Sequence, residues 1–228
     1  MTATQPAFTR ASPDARRQSL IEATARVLSC KGAAGVSVRA ICAEAGVSPG
    51  LLRHYFAGVS EAIAETYRWI GEQIADALDE AVAAAEDDPR ARLLAYVTAS
   101  FRPPIASPEL LASYVALWSL TRSDPAVAAV RTEVYSDFRT GLEVLIGELR
   151  PDLAGARLPA VALTALIDGL WLELSLGHAP FTPDEAARFA EMWLDRLLDQ
   201  ASPPRVATQG ESGDSRIPLF GAIADAAP

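Results

Sequence analysis

Cysteine and histidine are nearly missing from this chain. Its 228 residues include only Cys30, Cys42, His54 and His178 of these two types. Neither pair has metal-ligand spacing, and two thiols cannot make a disulfide framework, so both are expected to be reduced core residues of a cytoplasmic protein. No Ser/His/Asp spacing and no glycine-rich phosphate loop is present, which leaves an enzyme without its usual chemistry. No catalytic residue, cofactor or metal is therefore expected. The first residues, MTATQPAFTRASPDARR, lack the apolar stretch of a signal peptide. The nearest approach to a membrane span, Leu158–Gly177, carries Asp168 and Glu173 in its middle. Charges there are costly in a bilayer, so a helix covered by protein, without a membrane partner, is the reading. Segments of alternating β-branched residues bounded by turns are absent as well, which excludes a sheet.

Positive charge is also in the minority, at 20 basic against 29 acidic residues and a net of −9. Its placement matters more than its amount. Residues 1–60 hold seven basic groups (Arg10, Arg16, Arg17, Arg26, Lys31, Arg39 and Arg53) against Asp14, Glu22 and Glu44, a net of +4. A basic head on an acidic body points to a polyanion partner for the head alone.

Hydrophobic residues make up half the chain, enough for a sizeable core. Helix starts are marked by a capping residue followed by proline, at Ser12-Pro13, Asp88-Pro89, Ser107-Pro108, Asp124-Pro125 and Thr182-Pro183. The cap's oxygen accepts an orphan N–H, and proline at the first helical position loses no hydrogen bond. Stops fall at Gly32, Pro103-Pro104, Pro151 and Gly177. These marks delimit nine helices near 13–31, 38–45, 49–55, 60–86, 89–102, 108–122, 125–149, 158–177 and 183–200, an all-α chain. In the fourth, Ile63, Tyr67, Ile70, Ile74, Leu78 and Val82 recur at three and four residues, giving one apolar face. We divide the chain into a head, 1–59, a body, 60–200, and a tail, 201–228, whose Pro, Gly, Ser and Ala content predicts disorder.

The head contains VSVRAICAEAGVSPGLLRHYF, from Val36 to Phe56. Ser37 is placed to cap the second helix, Gly46 to end it, and Val47 to plug the core. Ser48 is placed to cap the third helix, with Pro49 at its first turn. Two short helices joined by a glycine-bearing turn form a helix-turn-helix, whose second helix enters the major groove of double-stranded DNA.

The longer stretch RRQSLIEATARVLSCKGAAGVSVRAICAEAGVSPGLLRHYFAGVSEAI, residues 16–63, resembles the N-terminal domain of the TetR family of bacterial regulators. ALIDGLWLEL, at Ala165–Leu174, resembles its BetI-type branch. The resemblance implies a homodimeric repressor on a palindromic operator, with an effector cavity and dimer interface in the body. It also implies phosphate contacts from His54 and Tyr55. Two departures stand out. Lysine is usual in the family where this chain has Val59. Leu51 and Arg53 replace a small polar residue and an aromatic on the recognition helix, so no relative's operator transfers. Loss of DNA binding, leaving a helical small-molecule-binding or scaffold protein, is the alternative that the missing lysine suggests.

Arg53 can pair with a guanine edge or with a phosphate. Leu51 can touch a thymine methyl or pack within the head. Ser37, Arg39, Ser48, Pro49 and Gly50 lie at helix N-termini, where hydroxyls, N–H groups and the helix dipole suit phosphate. In the body, Tyr114, Trp118 and Trp171 with Asp168 as counter-charge are the expected effector site, between the fourth and eighth helices. An aromatic cage with a carboxylate suits a cation such as choline. Alternatively Asp168 is bonded to Thr164 or a tryptophan N–H, or faces a partner subunit, and the effector is neutral. The eighth helix is apolar almost all round. On the ninth, Ala186, Phe189, Ala190, Trp193 and Leu197 share a stripe, and Phe189, Trp193 and Leu197 are the expected dimer contacts.

Overall fold

A computed structural model describes residues 12–200, and there it consists of nine α-helices, one short 3₁₀ turn at Ala33–Gly35 and no strand. Arg10 and the 201–228 tail lie outside the described residues, as does the side chain of Leu197. The helices are α1 (Pro13–Lys31), α2 (Val38–Ala45), α3 (Pro49–Tyr55), α4 (Val59–Ala83), α5 (Pro89–Ala99), α6 (Pro108–Leu120), α7 (Pro125–Leu149), α8 (Arg157–Ser175) and α9 (Pro183–Gln200).

Local chemistry sets these limits. The hydroxyl of Ser12 accepts from the Ala15 N–H at 3.1 Å, and Asp88 accepts from Ala91 at 2.9 Å. Ser107 and Asp124 act in the same way on α6 and α7. At α9 the caps are reciprocal: Thr182 accepts from the Glu185 N–H, and the Glu185 carboxylate accepts from the Thr182 N–H. Its accepted hydrogen bonds hold the Glu185 carboxyl below the usual carboxylate range. Helix α4 differs from expectation at both ends. It begins at Val59, with Gly58 at the cap, and stops at Ala83 instead of near 86. The Glu61 carboxylate, in the first turn, accepts from the Ala57 N–H just ahead of the helix and ties the entering chain to it.

Leu20, Ile21, Ala23, Ile41, Cys42, Leu52, Phe56 and Ala62 form the core of the head. A larger core runs through the body from Leu28 on α1 and Ile63 on α4 to Leu194 on α9. Helices α1 and α4 thus contribute to both. Thr66 on α4, fully buried, donates to the carbonyl of Ile21 on α1 at 3.4 Å, and Ser113 on α6 donates to that of Ala25 at 3.4 Å. Val59, at the position where lysine was noted as usual, packs against both cores.

One residue and one helix depart from their expected setting. Cys42 is buried, but Cys30 is exposed near the end of α1. Helix α8 is long and apolar enough to cross a membrane by composition, yet it packs into the bundle. It buries only one face, through Ala160, Leu163, Thr164, Ile167 and Trp171.

Leu52 is fully buried and secures α3 to α1 and α2. Leu52→Ala is expected to cost about 2–5 kcal/mol. A urea titration followed by circular dichroism checks this, and an unchanged midpoint contradicts it.

Candidate nucleic-acid interface and body cavity

Gly46 closes α2 in the left-handed region (φ +67°), where a Cβ would be strained. The Val47 N–H returns to the carbonyl of Cys42 at 2.9 Å, which turns the chain sharply enough for α3 to cross α2. Helix α3 then buries Leu52, half-buries Leu51 and Tyr55, and leaves Pro49, Gly50, Arg53 and His54 exposed. Ser37, Arg39 and Ser48 are exposed as well, so all nine residues named for DNA binding reach the surface at least in part.

Two details differ from the sequence reading. Ser37 caps α2 by accepting from the Ala40 N–H at 3.1 Å, but the Ser48 hydroxyl makes no such bond on α3. Its position at the cap is as expected; its hydrogen bond is not. The positive charge of the head is also partly spent internally. Arg26 pairs with Glu44 at 2.7 Å, tying α1 to α2. Arg17 pairs with Glu65 of α4, and its guanidinium lies 5.3 Å from the Phe56 ring centroid. Arg17 is therefore a structural tie and not an arm for a groove. Among the described residues Arg39 and Arg53 form no ion pair, so their charge faces solvent.

In the body, α4, α5, α6, α7 and α8 line a cavity of about 430 Å³. Tyr114, Asp168 and Trp171 line it, together with Tyr96, Tyr135 and Phe138. Trp118 does not. It stands behind Tyr114, edge to face at 5.6 Å, and its indole N–H and the neighbouring Tyr67 hydroxyl are buried without a hydrogen bond of normal geometry. Helix α7 supplies a wall, with Tyr135 and Phe138, that sequence reasoning did not assign to the site, because only tertiary packing turns that face of α7 to the cavity. Gly71 of α4 permits this wall to approach: a Cβ there would lie 2.7 Å from Val134 Cγ2.

Asp168 bonds to neither Thr164 nor a tryptophan. Thr164 donates to the Ala160 carbonyl, and Trp171 donates to the Ser100 carbonyl at 2.7 Å. The partner is Tyr135, whose hydroxyl donates to Asp168 Oδ1 at 3.0 Å. Burial pushes the Asp168 carboxyl up to about 6, against the opposing pull of that hydrogen bond and of Arg131 and Arg139. Burial, with the Asp168 charge second, also raises the Tyr135 hydroxyl, so it stays a donor. Folded Asp168 binds its proton more tightly than the unfolded chain does. Its charge therefore opposes folding above pH about 6, and the cost disappears below about 3.8. Four further carboxylates, Glu72, Asp79, Glu133 and Asp137, line the cavity against the single guanidinium of Arg68.

The stripe expected on α9 divides. Ala186 and Ala190 are buried in the chain's own core, whereas Phe189, Met192 and Trp193 remain about 40% exposed. On α8, Leu158, Val161, Ala165, Gly169, Leu172 and Leu176 recur at three and four residues, and all are exposed. Two neighbouring helices thus present apolar faces that nothing among the described residues covers.

A helix-turn-helix head with a free basic face, carried on a helical body that encloses a cavity, is the architecture of a DNA-binding transcriptional regulator. Residues 20–60 match the family model described as bacterial regulatory proteins, tetR family, and residues 89–199 match that of the BetI-type transcriptional repressor C-terminal domain. The chain belongs to the TetR family, with a BetI-type body. It is 32% identical over 191 residues to the HTH-type transcriptional regulator BetI of Paraburkholderia phymatum, covering 83% of this chain and 96% of that one. A crystal structure of a transcriptional regulator from Pseudomonas aeruginosa PAO1 superposes with a TM-score of 0.77 at 37% identity, covering 86% of this chain and 96% of that one. A regulator from Saccharomonospora viridis, crystallised with choline, shares the fold at a TM-score of 0.71 and 18% identity, over 80% of this chain and 96% of that one.

Arg39 and Arg53 are expected to act differently on DNA. Arg53→Ala should relax base preference at one position of each half-site, at about 1–3 kcal/mol of discrimination. Arg39→Ala should weaken all sequences alike and reduce the salt slope by about 0.9. Selection of DNA fragments by each purified variant checks both, and an unchanged motif for Arg53→Ala rules out base reading by that residue.

Proposed function

We propose that this regulator is a homodimeric repressor, acting in the cytoplasm on a palindromic operator and released from it by a small organic cation bound in the body cavity. The observation that carries the effector class is the lining itself: Asp168 against Tyr114, Tyr135 and Trp171, with four more carboxylates and one guanidinium around them. Such a cavity attracts positive charge and offers ring faces to a desolvated cation, each worth about 0.5–2 kcal/mol. Its volume lies within the ordinary range for small-molecule sites.

The head would use Ser37, Arg39, Ser48, Pro49, Gly50, Leu51, Arg53, His54 and Tyr55 on DNA. Phosphates would be met by the hydroxyls, helix N-termini and cations, and base edges by α3. The exposed apolar faces of α8 and α9 support a two-fold interface, which pairs two heads for half-sites about 34–36 Å or somewhat more apart. Ala165 and Gly169 leave room there for close approach of the partner's α8. Helix α4 supports the coupling, since Ala62 lies in the head core while Gly71, Ile74 and Leu78 line the cavity. A ligand acts through its different affinity for DNA-competent and DNA-incompetent arrangements of that helix.

Trp193→Glu places a charge on the exposed face of α9 and is expected to convert the dimer to monomer or aggregate. A stable dimer by light scattering excludes the interface at this residue.

For the effector, tryptophan fluorescence titrated with choline is expected to show saturable binding that weakens as pH falls through about 6, because protonation removes the Asp168 charge. Asp168→Asn should weaken binding and abolish that pH dependence. Quenching by neutral hydrophobic compounds alone, unaffected by Asp168→Asn, would sink the cation reading and leave the repressor intact.

A further inference from the structure

We propose that Arg68 is a positioning residue through which the state of the body cavity reaches the DNA-reading head, along the ion-pair chain Glu133–Arg68–Glu65–Arg17. The direction of the signal rests on the effector reading above; the linkage does not.

Arg68, on α4, forks between two carboxylates. One terminal nitrogen donates to Glu133 of α7 at 3.1 Å, and the other donates to Glu65, one turn back on α4. The second oxygen of Glu65 accepts from Arg17 of α1. Arg17 in turn lies over Phe56, which is buried and closes α3, its N–H donating to the Leu52 carbonyl at 2.9 Å. Four charges of alternating sign thus run from the cavity wall to the end of the recognition helix. Arg68 and Glu133 both line the cavity, whereas Arg17 and Phe56 belong to the head. Helix α7 itself packs on α4, α5, α6 and α8, so this chain gives it a polar route to α1 and α3.

The exposure of these groups makes them exchangeable. Arg17 and Arg68 are each 40% exposed and Glu133 is 58% exposed, so no single pair is a rigid strut. Glu65 is the shared carboxylate: whatever Arg68 gives up at Glu133 it can recover at Glu65, in competition with Arg17. A cation entering beside Glu133 takes that carboxylate and repels the Arg68 guanidinium. Arg68 then turns both N–H edges to Glu65, a bidentate geometry that displaces Arg17. Freed from Glu65, Arg17 loses the tie that holds it over Phe56, and the end of α3 loosens. Linkage makes the effect reciprocal, so DNA that selects the Arg17–Glu65 state disfavours the cation.

The test uses the full-length protein without ligand or DNA. Backbone hydrogen exchange of α3, residues 49–55, is followed by mass spectrometry. Glu133→Gln on α7 is expected to accelerate exchange in α3 by about threefold or more, as Arg17→Met does, because in both Arg17 and Glu65 no longer pair: the released Arg68 displaces Arg17 in the first, and the guanidinium is gone in the second. In an Arg68→Met background Glu133→Gln should add nothing. Glu148→Gln breaks a different pair on the same helix, Arg92–Glu148 at 2.7 Å, and should leave α3 unchanged. Wild-type exchange in Glu133→Gln overturns the proposal. So do independent, multiplying effects of Glu133→Gln and Arg68→Met, or an equal effect of Glu148→Gln. Failure of choline to bind would sink the effector reading instead, since none of these exchange outcomes involves a ligand.

Discussion

Everything in this molecule depends on α1 and α4 being held in two cores at once. Helices α2 and α3 have eight and seven residues, too few to persist as isolated helices. They exist because Ile41, Cys42, Leu52 and Phe56 close over Leu20, Ile21, Ala23 and Ala62. The same α1 and α4 enter the body core one turn further on, at Leu28 and at Ile63, Ala64 and Tyr67. A rotation of α4 therefore cannot be confined to one part. At 25 residues, about 37 Å, it spans the distance from the head to the cavity. Val59, at its first turn, supplies apolar packing to both cores where a lysine would supply a phosphate contact.

Charge is arranged to complement that frame. The basic surplus of the head is smaller in practice than in composition, since Glu44 and Glu65 neutralise Arg26 and Arg17. Arg39 on α2 and Arg53 on α3 are among the head's cations left without an ion pair, and both are exposed. The body shows the opposite bias at its cavity, where a carboxylate lies deep enough to be pushed up to about 6 while its tyrosine partner stays protonated. A charge so placed is unfavourable for folding at neutral pH.

The uncovered apolar faces have a similar logic. Leu158, Leu172 and Leu176 on α8, with Phe189, Met192 and Trp193 on α9, form more exposed apolar surface than scattered residues normally leave. They are neighbours in space because α8 and α9 pack together through Ala160, Leu163, Ala186 and Ala190. Among the described residues, one side of this pair is buried in the body core and the other is exposed.

Helix positions, the helix-turn-helix and the apolar faces were legible in the sequence, because caps, prolines, glycines and three-four spacing are local signals carried by adjacent residues. So was the family, through the continuous match at residues 16–63 and ALIDGLWLEL. Choices among partners were decided by tertiary structure alone. Thr164 and the tryptophans were reasonable candidates for Asp168, yet packing of α7 on α8 brings Tyr135 to it, 33 residues away in the chain. Packing of α4, α7 and α8 together brings five carboxylates from three helices to one cavity, and leaves Trp118, one turn beyond Tyr114 on α6, out of its lining. Ala186 and Phe189 look alike in a periodic stripe, but the angle at which α9 meets the bundle buries one and exposes the other. Spacing along a helix determines which side chains share a face; only the neighbouring helices determine what that face meets.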